Sequence, residues 1–188
     1  MIIKTLQRLN KRNFRHLLGA PRRFARRRGF GIHSPFAFDF VRRVIAQPCS
    51  FYCYPQLDAE ARQAGVKSSM VRLVFRVALF FRPSSVVYLG ECSSAVKKAV
   101  EAACPQPEKC SGSQIVVVSG VLSDVDVRSV VQSAQGGATV VFLNLKSDTT
   151  ASRAVWASIT HGMLFRGSET AIYVGMHHLP HQSFNVWI

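Results

Sequence analysis

An α/β domain is predicted, with a mainly parallel sheet of about five strands, N-terminal helices and a closing antiparallel hairpin. Three observations predict it. Residues 86–90, 115–120 and 139–143 are short β-branched runs of the kind buried on both faces of a parallel sheet. Helix-compatible segments separate these runs, the alternation that builds parallel sheets through right-handed crossovers. Two last runs, 171–174 and 184–187, are joined by too few residues for a helical crossover, so a hairpin is expected there.

The elements follow in chain order. Residues 2–18 place Ile2, Ile3, Leu6, Leu9, Phe14, Leu17 and Leu18 among Lys4, Arg8, Lys11, Arg12 and Arg15, a loose amphipathic helix with a basic face. Gly19-Ala20-Pro21 ends it, and the charged stretch 22–31 reads as an exposed connector. Ser34-Pro35 is a helix start, with Ser as the cap and Pro at the first helical position. The helix it opens ends before Pro48. Residues 49–66 read as irregular with a helical turn near 58–64. A firm helix over 68–81 stops at Arg82-Pro83. Beyond the first strand, Ser93 or Ser94 caps a helix running to about Ala103, and Ser123-Asp124 opens another to about Ala134. A third helix is expected over about 148–160.

The chain carries 24 Lys+Arg against 10 Asp+Glu, a formal charge of +14. That excess is segregated. Residues 1–43 hold twelve basic residues and one acid, Asp39, leaving +3 for the other 145. The division expected is a basic arm, 1–30, and one folded domain, 31–188. This distribution argues against a uniformly basic nucleic-acid-binding domain. With 48% hydrophobic residues, a disordered chain is excluded as well. The longest apolar stretch, 71–81, is interrupted by Arg72 and Arg76 and is too short to cross a bilayer. No secretory h-region follows the basic N-terminus, and the five cysteines match no zinc spacing. Free thiols in a reducing cytoplasm are expected.

The stretch Gly29-Phe30-Gly31-Ile32-His33-Ser34-Pro35-Phe36 resembles the G-x-G-I-H-S-P-F leader of a bacterial group of class I methyltransferases that use S-adenosylmethionine. The run 86–90 after Arg82-Pro83 resembles the first strand of that Rossmann-like fold. Residues 139–156 resemble its fifth strand and following helix, with Trp156, and 172–188 resemble its closing hairpin. The likeness spans about residues 29–188. It implies a Rossmann-like fold and an S-adenosylmethionine site in the loop after the first strand, at Gly90, Glu91, Cys92, Ser93 and Ser94.

Departures from the family pattern shape the functional expectation. The family's E-x-G-x-G-x-G-like loop reads here Tyr88-Leu89-Gly90-Glu91-Cys92-Ser93-Ser94-Ala95, with one glycine and no acid at the expected place. Only residues 104–138 separate the first helix from the 139–143 strand, room for one strand and one helix where the family has three strands. The family order three-two-one-four-five-seven-six then shortens to one-four-five-seven-six. The lost edge carries the acid that grips the ribose. The D-G after strand four reads Ser119-Gly120, and the acidic pair after strand five reads Asn144-Leu145.

Other residue groups offer weaker chemistry. His177, His178 and His181 supply three imidazoles but no carboxylate or thiolate close in sequence, so an exposed loop is expected and no metal. His33 suits a helix-start packing role better than proton transfer. Cys92 stands where a helix N-terminus can lower a thiol pKa, and the turn 90–94 offers backbone N–H groups to a small anion. Arg22, Arg23, Arg26, Arg27 and Arg28 form an anion-binding cluster suited to nucleic acid or an anionic membrane surface, or else a solvated arm.

The expected function is that of a degenerate, non-catalytic methyltransferase-like protein acting by partner binding. Loss of the outer strands exposes the apolar edge Val86–Leu89, which is expected to be covered either by the N-terminal segment of the chain or by a protein partner or second copy. The alternatives are an active methyltransferase with a reduced cofactor pocket and a basic membrane- or nucleic-acid-docking module.

Overall fold

A computed structural model describes residues 32–145 and 150–188. The basic arm, with the helix expected over 2–18 and the arginine cluster, and Gly29–Gly31 of the leader lie outside the described residues.

Ser34 opens α1 (Pro35–Phe40) as predicted, its hydroxyl accepting the Ala37 amide at 3.3 Å, and the helix widens into a π-turn over Val41–Ile45. The irregular stretch expected after it contains α2 (Tyr54–Gln63). This helix is longer than the turn expected at 58–64, because Pro55 occupies its first turn, where the missing amide costs nothing. α3 (Ser68–Phe81) has the predicted bounds, and Arg82 ends it in a left-handed conformation at φ 45°. Asp58 of α2 pairs with Arg72 of α3, whose guanidinium lies over the Tyr54 ring at 4.7 Å.

The strands β1 (Val86–Gly90), β2 (Ile115–Ser119) and β3 (Thr139–Leu143) run parallel and adjacent in that order. α4 (Ser94–Ala103) joins the first two, and α5 (Asp124–Gln135) joins the second and third. Ser93 and Ser123 cap these helices by accepting the amides of Val96 and Asp126. α6 (Thr150–Ser158) leads to β4 (Met163–Arg166), followed by β5 (Ala171–Val174) and β6 (Gln182–Asn185).

The sheet has six strands in the order β1-β2-β3-β5-β4-β6. β5 is antiparallel to both its neighbours, and the other five strands share one direction. The architecture is α/β and Rossmann-like, and its first five places reproduce the shortened order, with β4 and β5 in the last two. The hairpin, however, lies elsewhere than the sequence predicts. The 171–174 and 184–187 runs do not pair with each other. Residues 167–170 close a tight turn, Gly167 donating to the Thr170 carbonyl at 2.9 Å, so β4 takes the inner place beside β5. The last strand then adds in parallel to the outer side of β4.

The two faces bury separate cores. Ile115, Val117, Val141, Met163, Phe165 and Ile172 pack under α1 to α4. Val116, Val118, Val140, Phe142 and Leu164 pack under α5 and α6. This division overturns the expectation of uniformly right-handed crossovers. β1→β2, β2→β3 and β3→β4 all step the same way along the sheet, but α4 lies on the opposite face from α5 and α6. The first crossover therefore has the opposite hand to the other two. Since right-handed connections prevail in nearly all βαβ units, the exceptional one is β1-α4-β2.

Candidate functional site

The turn after β1 unites the predicted residues Gly90, Glu91, Cys92, Ser93 and Ser94 between the end of the edge strand and the start of α4. Gly90 has φ 73°, and a methyl group on it would overlap the carbonyl oxygen of Ser119. The glycine thus permits close approach of β1 to the end of β2. The Glu91 amide donates to the same carbonyl at 2.9 Å, and the Cys92 amide donates to Gly90 at 3.0 Å. Two of the turn's N–H groups are consumed inside the turn and the sheet. The amides of Ser93, Ser94 and Ala95, at the first turn of α4, keep the ordinary orientation of a helix N-terminus.

Cys92 is half-buried, and its thiol donates toward the carbonyls of Leu89 and Val117, each at 3.5 Å. Burial pushes its pKa up, against smaller lowering by the Leu89 hydrogen bond and Lys97. The expected activation by the helix N-terminus is outweighed by desolvation. Glu91 is exposed. Tyr88 occupies the position where an acid would be expected. Its phenol is pushed up to about 12, first by burial and then by Glu101 and Cys92.

Among the described residues no strand lies outside β1. A nucleoside ligand requiring a ribose-gripping acid beyond that strand, and a backbone opened by several glycines, finds neither. Ser119 is buried at the end of β2, and Asn144, at φ 58°, follows β3 in place of an acid. Among the described residues, the turn after β1 offers such a ligand one close-packed glycine, and the ends of β2 and β3 offer it no acid.

The histidines of the 177–181 connection separate. His177 packs against His161, with ring centroids 4.5 Å apart, whereas His181 stacks on Trp156 at 3.8 Å. No group of three or more potential metal ligands occurs among the described residues. His33 lines a cleft of about 630 Å³ with Ser34, Pro35, Pro180, Gln182, Ser183 and Phe184. This cleft borders β6, at the opposite edge of the sheet from Gly90, and no carboxylate among the described residues lines it.

Sequence reasoning missed two juxtapositions. The His161–His177 contact joins elements whose pairing no local pattern announces. Cys104 and Cys110 bring their sulfurs to 3.1 Å. Their spacing across Pro105 and Pro107 was a usable signal, since prolines bend the chain back within a few residues.

The two sheet edges differ in chemistry. β6 presents Gln182, Ser183 and Asn185, all exposed. β1 presents Val86, Val87, Tyr88 and Leu89, with Val87 36% exposed. Polar side chains are the usual protection of a free edge, and of the two strands that end the sheet among the described residues β6 has them and β1 does not. No helix among the described residues is long and apolar enough to cross a membrane. Comparison with known proteins finds no matching family model, no matching curated protein and no matching solved structure.

Proposed function

We propose that this protein is a degenerate relative of the S-adenosylmethionine-dependent methyltransferases that acts without catalysis, by binding a partner along β1. The observation that carries the reading is the placement of α4. A right-handed crossover from β1 over that face would lead outward, to a strand beyond β1. The chain instead returns to β2. That detour suits a fold in which the outer strands were removed while the helix kept its packing on α3. The filled space at Gly90 and the apolar character of the β1 edge support the same reading.

The partner in this reading is a second copy of the chain, since two β1 edges paired about a twofold axis leave no new edge exposed. The Ile115 amide donates to Ser85 and the Glu91 amide to Ser119, which sets the alternation of the ladder. The outward amides are those of Val86, Tyr88 and Gly90. Hydrogen–deuterium exchange across a range of protein concentrations tests the pairing. Protection of these three amides should grow with concentration. Fast exchange at every concentration, or protection independent of concentration, would overturn it.

A further inference from the structure

We propose that Cys104 and Cys110 form a reversible disulfide by exchange with a low-molecular-weight disulfide such as oxidised glutathione. This goes beyond the partner-binding reading and does not depend on it. The two sulfurs lie 3.1 Å apart, about 1 Å beyond a bonded separation of roughly 2.05 Å. The backbone is already folded for closure. Cys104 caps the end of α4, and a 3-10 turn over Pro107–Lys109 reverses the chain so that the Cys110 amide donates to Pro107 at 2.8 Å.

The pair is asymmetric in access. Cys110 is half-buried, while Cys104 is buried with its thiol directed toward the Pro83 carbonyl at 3.7 Å. Burial, reinforced by the neighbouring Cys110 thiol, pushes Cys104 up to about 11. Cys110 therefore reacts first. Its thiolate attacks one glutathione sulfur, forming a mixed disulfide and releasing a glutathione thiolate, which takes up the proton. Cys104 then loses its proton and attacks the Cys110 sulfur, and the second glutathione leaves as a thiol. Two protein thiols are oxidised and one disulfide is reduced to two thiols.

The new bond would secure the α4–β2 connection at the entrance to β1. Gly112 of that connection donates its amide to Arg82 and accepts the Ser84 amide, both at 3.2 Å. A cross-link two residues away ties this contact to the end of α4. A redox-sensitive pair in a chain of otherwise free thiols matches the transient disulfides of reducing compartments.

The test uses the full chain equilibrated with reduced and oxidised glutathione in several ratios, quenched with acid, alkylated and digested with trypsin. Cleavage after Lys98, Lys109 and Arg128 separates the two cysteines onto peptides 99–109 and 110–128. The two peptides should appear joined in proportion to oxidised glutathione and separate on treatment with dithiothreitol. In the Cys104→Ser variant a glutathione adduct should accumulate on Cys110, whereas in the unaltered chain it should not. Peptides that stay separate at every ratio would overturn the proposal. A Cys110 adduct that persists equally in both chains would do the same.

Discussion

Replacing Gly90 with alanine separates the two reasons a glycine can occupy the turn after β1. The residue sits at φ 73°, and an added methyl would overlap the Ser119 carbonyl. The conformational cost of a left-handed alanine is about 1–2 kcal/mol. The overlap is with backbone of β2, so no rotamer change relieves it, and overpacking adds about 1–3 kcal/mol. Two internal controls isolate the first contribution. A methyl added at Gly65 (φ 65°) would have nothing within 4 Å, and one at Gly120 (φ 82°) would meet only Glu91 atoms at 3.9 and 4.0 Å. Gly65→Ala and Gly120→Ala should each lose about 1–2 kcal/mol in urea denaturation, and Gly90→Ala about 2 kcal/mol more than either. Equal losses at all three positions would show that the β1–β2 approach does not hold Gly90. Its retention would then need another cause, such as a ligand.

Two other perturbations address the helical layer and the turn. Asp58 has its pKa lowered, chiefly by the Arg72 hydrogen bond, so its folded value lies below its unfolded value. The stability it contributes is present above the unfolded carboxylate range and is lost as pH falls through the folded pKa. Asp58→Asn should cost about 1 kcal/mol at neutral pH and flatten the acid limb of the stability profile. An unchanged acid limb would contradict this. Cys92, with a raised pKa and a half-buried sulfur, should react with iodoacetamide at neutral pH at least about tenfold more slowly than the exposed Cys49. Equal rates, read by peptide mass spectrometry, would contradict the desolvated environment.

The parts of the fold written in local chemistry were legible in the sequence. Ser34-Pro35, Ser93 and Ser123 each mark a helix start by a side chain that accepts a first-turn amide. The β-branched runs of β1 to β3 mark strands because both faces of their sheet are covered or nearly so. The placement of β4 was not legible. Met163-Leu164-Phe165 is a short apolar run between Gly162 and Arg166, and its strand character comes from β5 and β6 on either side. The hand of the first crossover depends on which face α4 covers, a tertiary choice that its amphipathic pattern leaves open. At the turn, the sequence showed which glycines and acids were absent. It did not show that the remaining glycine faces Ser119, because that contact joins residues from two strands.

Calorimetric titration of the full chain with S-adenosylmethionine decides whether the turn after β1 still holds the cofactor. A closed turn at Gly90 and an edge strand at β1 predict no saturable heat into the millimolar range. Stoichiometric binding with a submillimolar dissociation constant would contradict the account and restore the cofactor site to this fold.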